Sequence, residues 1–125
     1  MRKLIFIMLF GLTIGIYGQE KKCSDFKVGD FKYSNPEYSE WIINRTDSTQ
    51  IETSTKTGIK IFSSVDWKSD CEYILTSYKV LNSDAKNIVG SIFHVEIIKT
   101  LADSYICISK NDAIDDMVLE MIKIK

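Results

Sequence analysis

The amino-acid sequence predicts an all-β domain in which about eight antiparallel strands close into an up-and-down barrel. Apolar and polar residues alternate with a period of two along much of the chain, as expected for strands with one buried face. Turn-forming residues recur at short spacing, and no segment of useful length repeats with the helical period. A sandwich fits the same pattern, but short consecutive connections favour the up-and-down order.

Residues 1–18 are predicted to be a cleavable signal peptide. Arg2 and Lys3 precede a largely apolar, uncharged run that ends at Gly18, which is the layout of secretory signals. The run is shorter than the roughly 20 residues of a membrane-spanning helix, and no later segment is long enough to span. We therefore expect export to the periplasm or the cell exterior and one domain over residues 19–125, with a retained membrane anchor as the alternative.

The first half of the predicted domain contains four strands. Asn35-Pro36 ends the first of them, because proline has no N–H for a sheet ladder. Lys56-Thr57-Gly58 forms the turn between the third and the fourth. The predicted strands cover residues 30–33, 41–45, 49–55 and 59–67.

The second half is predicted to contain four more strands, separated by turns rich in Asn, Asp and Ser. Residues 84–89 suit a single helical turn. The final segment, Met-Val-Leu-Glu-Met-Ile and its flanks, suits a helix as an alternative to a strand. The predicted strands cover residues 71–81, 91–101, 104–109 and 117–124.

The sequence contains three cysteines, Cys23, Cys71 and Cys107. An exported chain meets an oxidising compartment, so one disulfide is expected. Three pairings are possible, and we favour Cys23–Cys71 because it would tie the N-terminal segment to the middle of the chain. Cys107 lies in an apolar strand and is predicted to be a buried small hydrophobe. A catalytic thiol is the alternative, although no local motif surrounds it.

The charge balance argues against a nucleic-acid partner. The chain has 16 Lys and Arg against 17 Asp and Glu, and cleavage after Gly18 would remove two of the basic residues. A nucleic-acid-binding domain would instead show an excess of basic residues on one face. The composition is typical of an ordinary soluble surface.

Metal and cofactor sites are not predicted. His94 is the only histidine, and it has no companion ligand at a metal-binding spacing. An acidic cluster near the C-terminus could hold calcium, but it lacks the alternate spacing and the glycine of a calcium loop. A solvated turn is the better interpretation of this cluster, which consists of Asp112, Asp115, Asp116 and Glu120.

No catalytic residue is assigned. Paired carboxylates could support glycoside chemistry, but nothing in the sequence places any two across a cleft. The acidic residues available for such a pair are Glu37, Glu40, Asp66, Asp70 and Glu72.

Aromatic side chains are interpreted as core residues, with a binding platform for sugars or single-stranded nucleic acid as the alternative. They are Tyr38, Trp41, Trp67, Tyr73 and Tyr78.

Three sequence patterns occur together in the first half of the predicted domain. Residues 23–31 read Cys-x-x-Phe-Lys-x-Gly-x-Phe, residues 45–50 read Arg-x-x-x-x-Gln, and residues 67–73 read Trp-x-x-x-Cys-x-Tyr. The chain thus resembles a family of short exported bacterial proteins of unknown function, some of which carry a topoisomerase IV label. The resemblance implies a lipocalin-like layout and no known activity, and it places Cys23 and Cys71 in one pattern. The chain is too short and too weakly basic for strand passage in DNA.

These observations predict a small secreted or periplasmic binding protein of unknown specificity, possessing no cofactor and holding a small apolar ligand inside the barrel. The ligand-binding residues are not predicted. The first alternative is a packed protein-interaction or envelope-associated module without a ligand. The second is a small hydrolase that uses acidic residues.

Overall fold

The computed structural model describes residues 21–125, so the predicted signal peptide at 1–18 lies outside the described residues. Across the described part of the chain, no helix is long and apolar enough to cross a membrane.

Eight antiparallel strands form a closed barrel in which each strand pairs with its neighbours in sequence. β1 also pairs with β8, which closes the barrel. The all-β, up-and-down prediction is therefore confirmed, and the strands are β1 (Gly29–Tyr33), β2 (Trp41–Arg45), β3 (Thr49–Ser54), β4 (Lys60–Ser69), β5 (Glu72–Leu81), β6 (Ile92–Thr100), β7 (Ser104–Asn111) and β8 (Ile114–Lys123).

Three short 3-10 turns complete the described structure, at Cys23–Phe26, Pro36–Tyr38 and Lys86–Ile88. The last of these lies within the segment predicted to form a helical turn. The C-terminal segment is a strand rather than a helix, because both of its edges pair, with β1 and with β7. It begins at Ile114, so Asp115 and Asp116 lie in β8 and not in a turn.

The two ends of the barrel differ. The closed end carries the connections β2–β3, β4–β5 and β6–β7, together with the 3-10 turn at Cys23–Phe26. A disulfide joins Cys23 to Cys71 in the β4–β5 connection, and the Phe26 side chain is buried. The N-terminal segment thus plugs this end, whereas the opposite, open end carries the other four connections.

The inward faces follow the predicted alternation on most strands. On β6, for example, Val95 and Ile97 are buried while His94 and Glu96 are exposed. Serines on four strands also point inward and are buried, which leaves space that larger side chains would fill. These serines are Ser54, Ser63, Ser77 and Ser109.

Candidate functional site

The candidate site is a cavity of about 130 Å³ inside the barrel. Its walls come from every strand except β4, and they combine an apolar majority with a few polar groups. The apolar lining includes Leu75, Phe93, Val95, Met117, Leu119 and Met121. The polar lining includes Tyr33, Arg45, Gln50, Glu52 and Tyr73.

A second cavity, of about 160 Å³, lies towards the open end. Tyr38, Trp41 and Ile61 line it. The two cavities share four lining residues and are therefore direct neighbours: Tyr33, Glu52, Met117 and Leu119.

Arg45 is the polar centre of the closed end. It is the last residue of β2, shares the inward face with Ile43, and is only 3% exposed. Its Nε donates to Gln50 Oε1 over 2.9 Å, and its Nη1 donates to the Phe26 carbonyl over 3.0 Å. Its Nη2 donates to the hydroxyls of Tyr73 and Tyr105, over 3.2 and 2.7 Å. The guanidinium thus fastens the N-terminal plug to the barrel wall.

Aromatic rings surround the Arg45 charge. The guanidinium carbon lies 4.6 Å from the centre of the Phe31 ring and 4.8 Å from that of Tyr73, within the range of cation–π attraction. Burial acts to lower the pKa of Arg45, but the oxygens of Tyr73 and Tyr105 outweigh this and raise it. The side chain therefore stays cationic.

The Arg45 charge has no carboxylate partner within 4.0 Å in the described part of the chain. The ion pairs found there, Lys27–Asp70 and Lys68–Asp66, lie on the surface. A buried charge is normally paired, because removing an unpaired ion from water is costly. The interior of the barrel at the closed end is consequently positive.

Glu52 lies two residues beyond Gln50 on β3 and faces both cavities. It accepts a hydrogen bond of 2.7 Å from the Tyr33 hydroxyl. Burial raises the pKa of Glu52, against the opposing effects of the Tyr33 hydrogen bond and the Arg45 charge. Burial and the neighbouring Glu52 carboxylate also raise the pKa of Tyr33.

The Glu52→Gln substitution is expected to stabilise the protein at alkaline pH. Because the pKa of Glu52 is raised in the folded state, the folded protein holds the Glu52 proton more tightly than the unfolded chain does. The protonated side chain therefore contributes its full stability below the unfolded pKa of about 4.3, and this contribution is lost as the pH rises through the folded-state pKa. Glutamine keeps an acceptor for Tyr33 without a charge. We expect the Tm to rise by a few degrees at about pH 8 and to change little at about pH 4. For a domain of this size, about 1 kcal/mol of stability corresponds to roughly 4–8 °C in Tm.

Thermal melts at several pH values would check this result. The matched control is Glu96→Gln, on the exposed outer face of β6. A gain for Glu52→Gln that did not change with pH would contradict the assignment.

The sequence-predicted cysteine roles agree with the structure. The Cys23–Cys71 disulfide is present, and Cys107 is a buried free cysteine. Burial raises the pKa of the Cys107 thiol to about 12. This thiol is therefore protonated at neutral pH and is a poor nucleophile.

Most of the remaining candidates lie on the outer surface. His94, Asp112, Asp115 and Asp116 are exposed, and all of these except Asp115 line an open surface pocket together with Glu72. Within residues 21–125 no three metal-ligating side chains come close enough to hold a metal ion. Asp66 and Asp70 pair with lysines at the surface.

The aromatic residues divide into three groups. Tyr73 is buried, and Trp67 packs against it with ring centres 4.5 Å apart, as predicted for core residues. Trp41 and Tyr38 line the open-end cavity. Tyr78 is exposed on the outer surface.

Sequence reasoning did not single out Arg45, Gln50 and Glu52 as site residues. A signal was nevertheless present on β3, where Gln50, Glu52 and Ser54 share one face of the strand. The opposite face contains the β-branched residues that mark the strand, and a period of two does not tell which of the two faces is buried. In the structure the polar face of β3 points into the barrel.

Residues from the three sequence patterns in the first half of the domain meet at the closed end. Arg45 contacts Gln50, Phe26 and Tyr73, which come from all three sequence patterns. Comparisons with protein-family profiles, curated proteins and solved structures find no match for this chain.

Proposed function

We propose that this chain is a binding protein that holds one small, largely apolar molecule inside its barrel. The observation that carries the proposal is the interior cavity, which lies between the plugged closed end and the cavity at the open end. Binding sites for small molecules are concave and mostly apolar, with a few polar groups that fix orientation. The walls described above have this composition.

The size of the cavities limits the ligand. Their volumes are about 130 and 160 Å³, smaller than the roughly 300–1,000 Å³ of most ligand sites. At about 30 Å³ per water-sized group, the two together suit a ligand of on the order of ten non-hydrogen atoms. Met117 lines both cavities, and a flexible methionine can repack around a ligand.

Binding is better supported than the alternatives. A fully packed interaction module would have no need of an interior cavity with inward serines. A hydrolase that uses acidic residues would need two carboxyl groups across a cleft, whereas Glu52 is the only acidic residue among those lining the two cavities, and Asp66 and Asp70 pair with surface lysines. We also propose that the protein works in the periplasm or outside the cell, and the disulfide supports an oxidising compartment.

A cavity-filling variant tests the proposal. Ser109 lines the interior cavity, so Ser109→Leu is expected to reduce binding of 1-octanol at least tenfold by occupying its space. NMR titration of the mature wild-type protein and the variant would measure this loss.

Two further arms complete the test. The control is Ser64→Leu, at an exposed position on β4, which should bind 1-octanol like the wild type. Native mass spectrometry of the exported protein would reveal a co-purified ligand as mass lost on denaturation. Failure of the wild type to bind any eight-carbon aliphatic probe, 1-octanol included, would overturn the proposed function.

A further inference from the structure

The closed end of the cavity contains more hydrogen-bond donors than acceptors. Arg45 has five N–H donors, and four hydrogen bonds connect it to neighbouring groups. Among residues 21–125, one Nη1 hydrogen therefore has no acceptor. The two Gln50 Nε2 hydrogens likewise make no hydrogen bond within these residues. The Arg45–Gln50 contact fixes the amide orientation, because only its oxygen can accept from a guanidinium.

The two tyrosines add to this excess. Both hydroxyls accept from Arg45, and they lie 3.0 Å apart, so that one donates to the other. The second hydroxyl hydrogen then has no acceptor within the described chain. Trp67 Nε1 is the only fully buried side-chain nitrogen or oxygen of the described residues that has no partner. The spare hydrogens of Arg45, Gln50 and the tyrosines therefore belong to atoms that already have one partner or that remain accessible, and a ligand in the cavity can supply their acceptors. Arg45, Gln50 and Tyr73 all line the cavity.

We propose that the ligand is a small aliphatic carboxylate, whose carboxylate binds Arg45 and Gln50 at the closed end while its tail extends towards the open end. This inference rests on the proposed function and names its ligand class. A carboxylate supplies the missing acceptors and also the missing negative charge. Charge-assisted hydrogen bonds of this kind are about twice as strong as neutral ones.

The direction of the ligand follows from the walls. Gln50 and Arg45 lie beside the β2–β3 connection at the closed end. Apolar side chains such as Leu75, Phe93 and Met117 make up most of the remaining cavity wall. A tail that follows this wall reaches Trp41 in the second cavity.

Glu52 does not replace the proposed carboxylate. Its Oε1 accepts from Tyr33, and it makes no hydrogen bond with Arg45 among the described residues. Because Glu52 is two residues beyond Gln50 on the same strand, their Cα atoms lie about 6–7 Å apart. It could instead attract an amine ligand, which makes octylamine a necessary arm of the test.

The test compares octanoate, 1-octanol and octylamine by calorimetric titration of the mature wild-type protein. We expect octanoate to bind at least tenfold more tightly than 1-octanol, and octylamine to bind most weakly. Equal binding of octanoate and 1-octanol, or tightest binding of octylamine, would overturn the carboxylate inference and leave the proposed function standing. Failure of all three to bind would overturn both.

Gln50→Glu is the decisive variant. It preserves side-chain size and the contact with Arg45 Nε, but it supplies an internal carboxylate. We expect octanoate affinity to fall at least tenfold and 1-octanol affinity to fall much less, so that the preference for octanoate over 1-octanol is lost; an unchanged preference would overturn the inference. The matched control is Asn87→Asp, at an exposed site in the β5–β6 connection, which should leave both affinities unchanged.

A second readout reports where the carboxylate lies. In the wild type, octanoate labelled with carbon-13 at the carboxyl group should titrate at a lower pH when bound than when free, because a neighbouring cation favours the ionised form. An unchanged or raised titration midpoint would overturn the placement against Arg45.

Discussion

Replacing Arg45 with alanine is expected to lower the free energy of unfolding by about 3–5 kcal/mol. The substitution removes the partner of four buried acceptors: Gln50 Oε1, the Phe26 carbonyl and the hydroxyls of Tyr73 and Tyr105. Each buried polar group that loses its partner costs about 1–3 kcal/mol. Relief from burying an unpaired charge offsets part of this loss, and the space left by the side chain adds to it.

Two companion variants separate these contributions. Arg45→Met keeps most of the side-chain volume, so it should lose less stability than Arg45→Ala. Tyr105→Phe removes one hydroxyl that accepts from Arg45 over 2.7 Å and should cost about 1.5–3 kcal/mol, the range for hydrogen bonds to charged groups.

Chemical denaturation would measure these losses. The control is Lys79→Ala, a cation over the Phe62 ring on the outer surface, which should change stability by less than about 0.5 kcal/mol. A loss below about 1 kcal/mol for Arg45→Ala would contradict the role of the guanidinium as the link between plug and barrel.

The strand order was predictable because local signals agree with the tertiary structure. Period-two alternation and short turns place each strand beside its neighbour in sequence, and no helix competes. β8 was less predictable at its start. Asp115 and Asp116 are exposed and are residue types that favour turns. The structure shows instead that the turn is complete by Ile114, which pairs with Asn111, so that both aspartates lie in the strand.

The candidate site was not predictable from local sequence. Arg45 lies on an alternating strand, where an exposed cation is the ordinary expectation for its residue type. Its partners Tyr73 and Tyr105 lie 28 and 60 residues away along the chain. Only closure of the barrel brings these residues together. The inward polar face of β3 is hidden for the same reason, since a period of two does not tell which face is buried.

The plug at Cys23–Phe26 depends on a single covalent link and a few contacts. The Cys23→Ser/Cys71→Ser double variant is expected to lose about 4 kcal/mol, the chain-entropy value for a loop of this length. The disulfide spans 48 residues, so its removal greatly enlarges the conformational freedom of the unfolded chain. The Phe26 carbonyl that accepts from Arg45 would also lose its covalent tether.

Denaturation with and without reductant tests this expectation. Reduced wild type should match the double variant, and the variant itself should be insensitive to reductant. Hydrogen exchange should quicken first at residues 23–28, because few contacts besides the Arg45 link and the buried Phe26 hold this segment. A loss below about 1 kcal/mol would mean that the Arg45 contacts hold the closed end without the disulfide. If exchange instead quickened equally in all strands, the native plug would be undisturbed. The loss of stability would then come from the unfolded state alone.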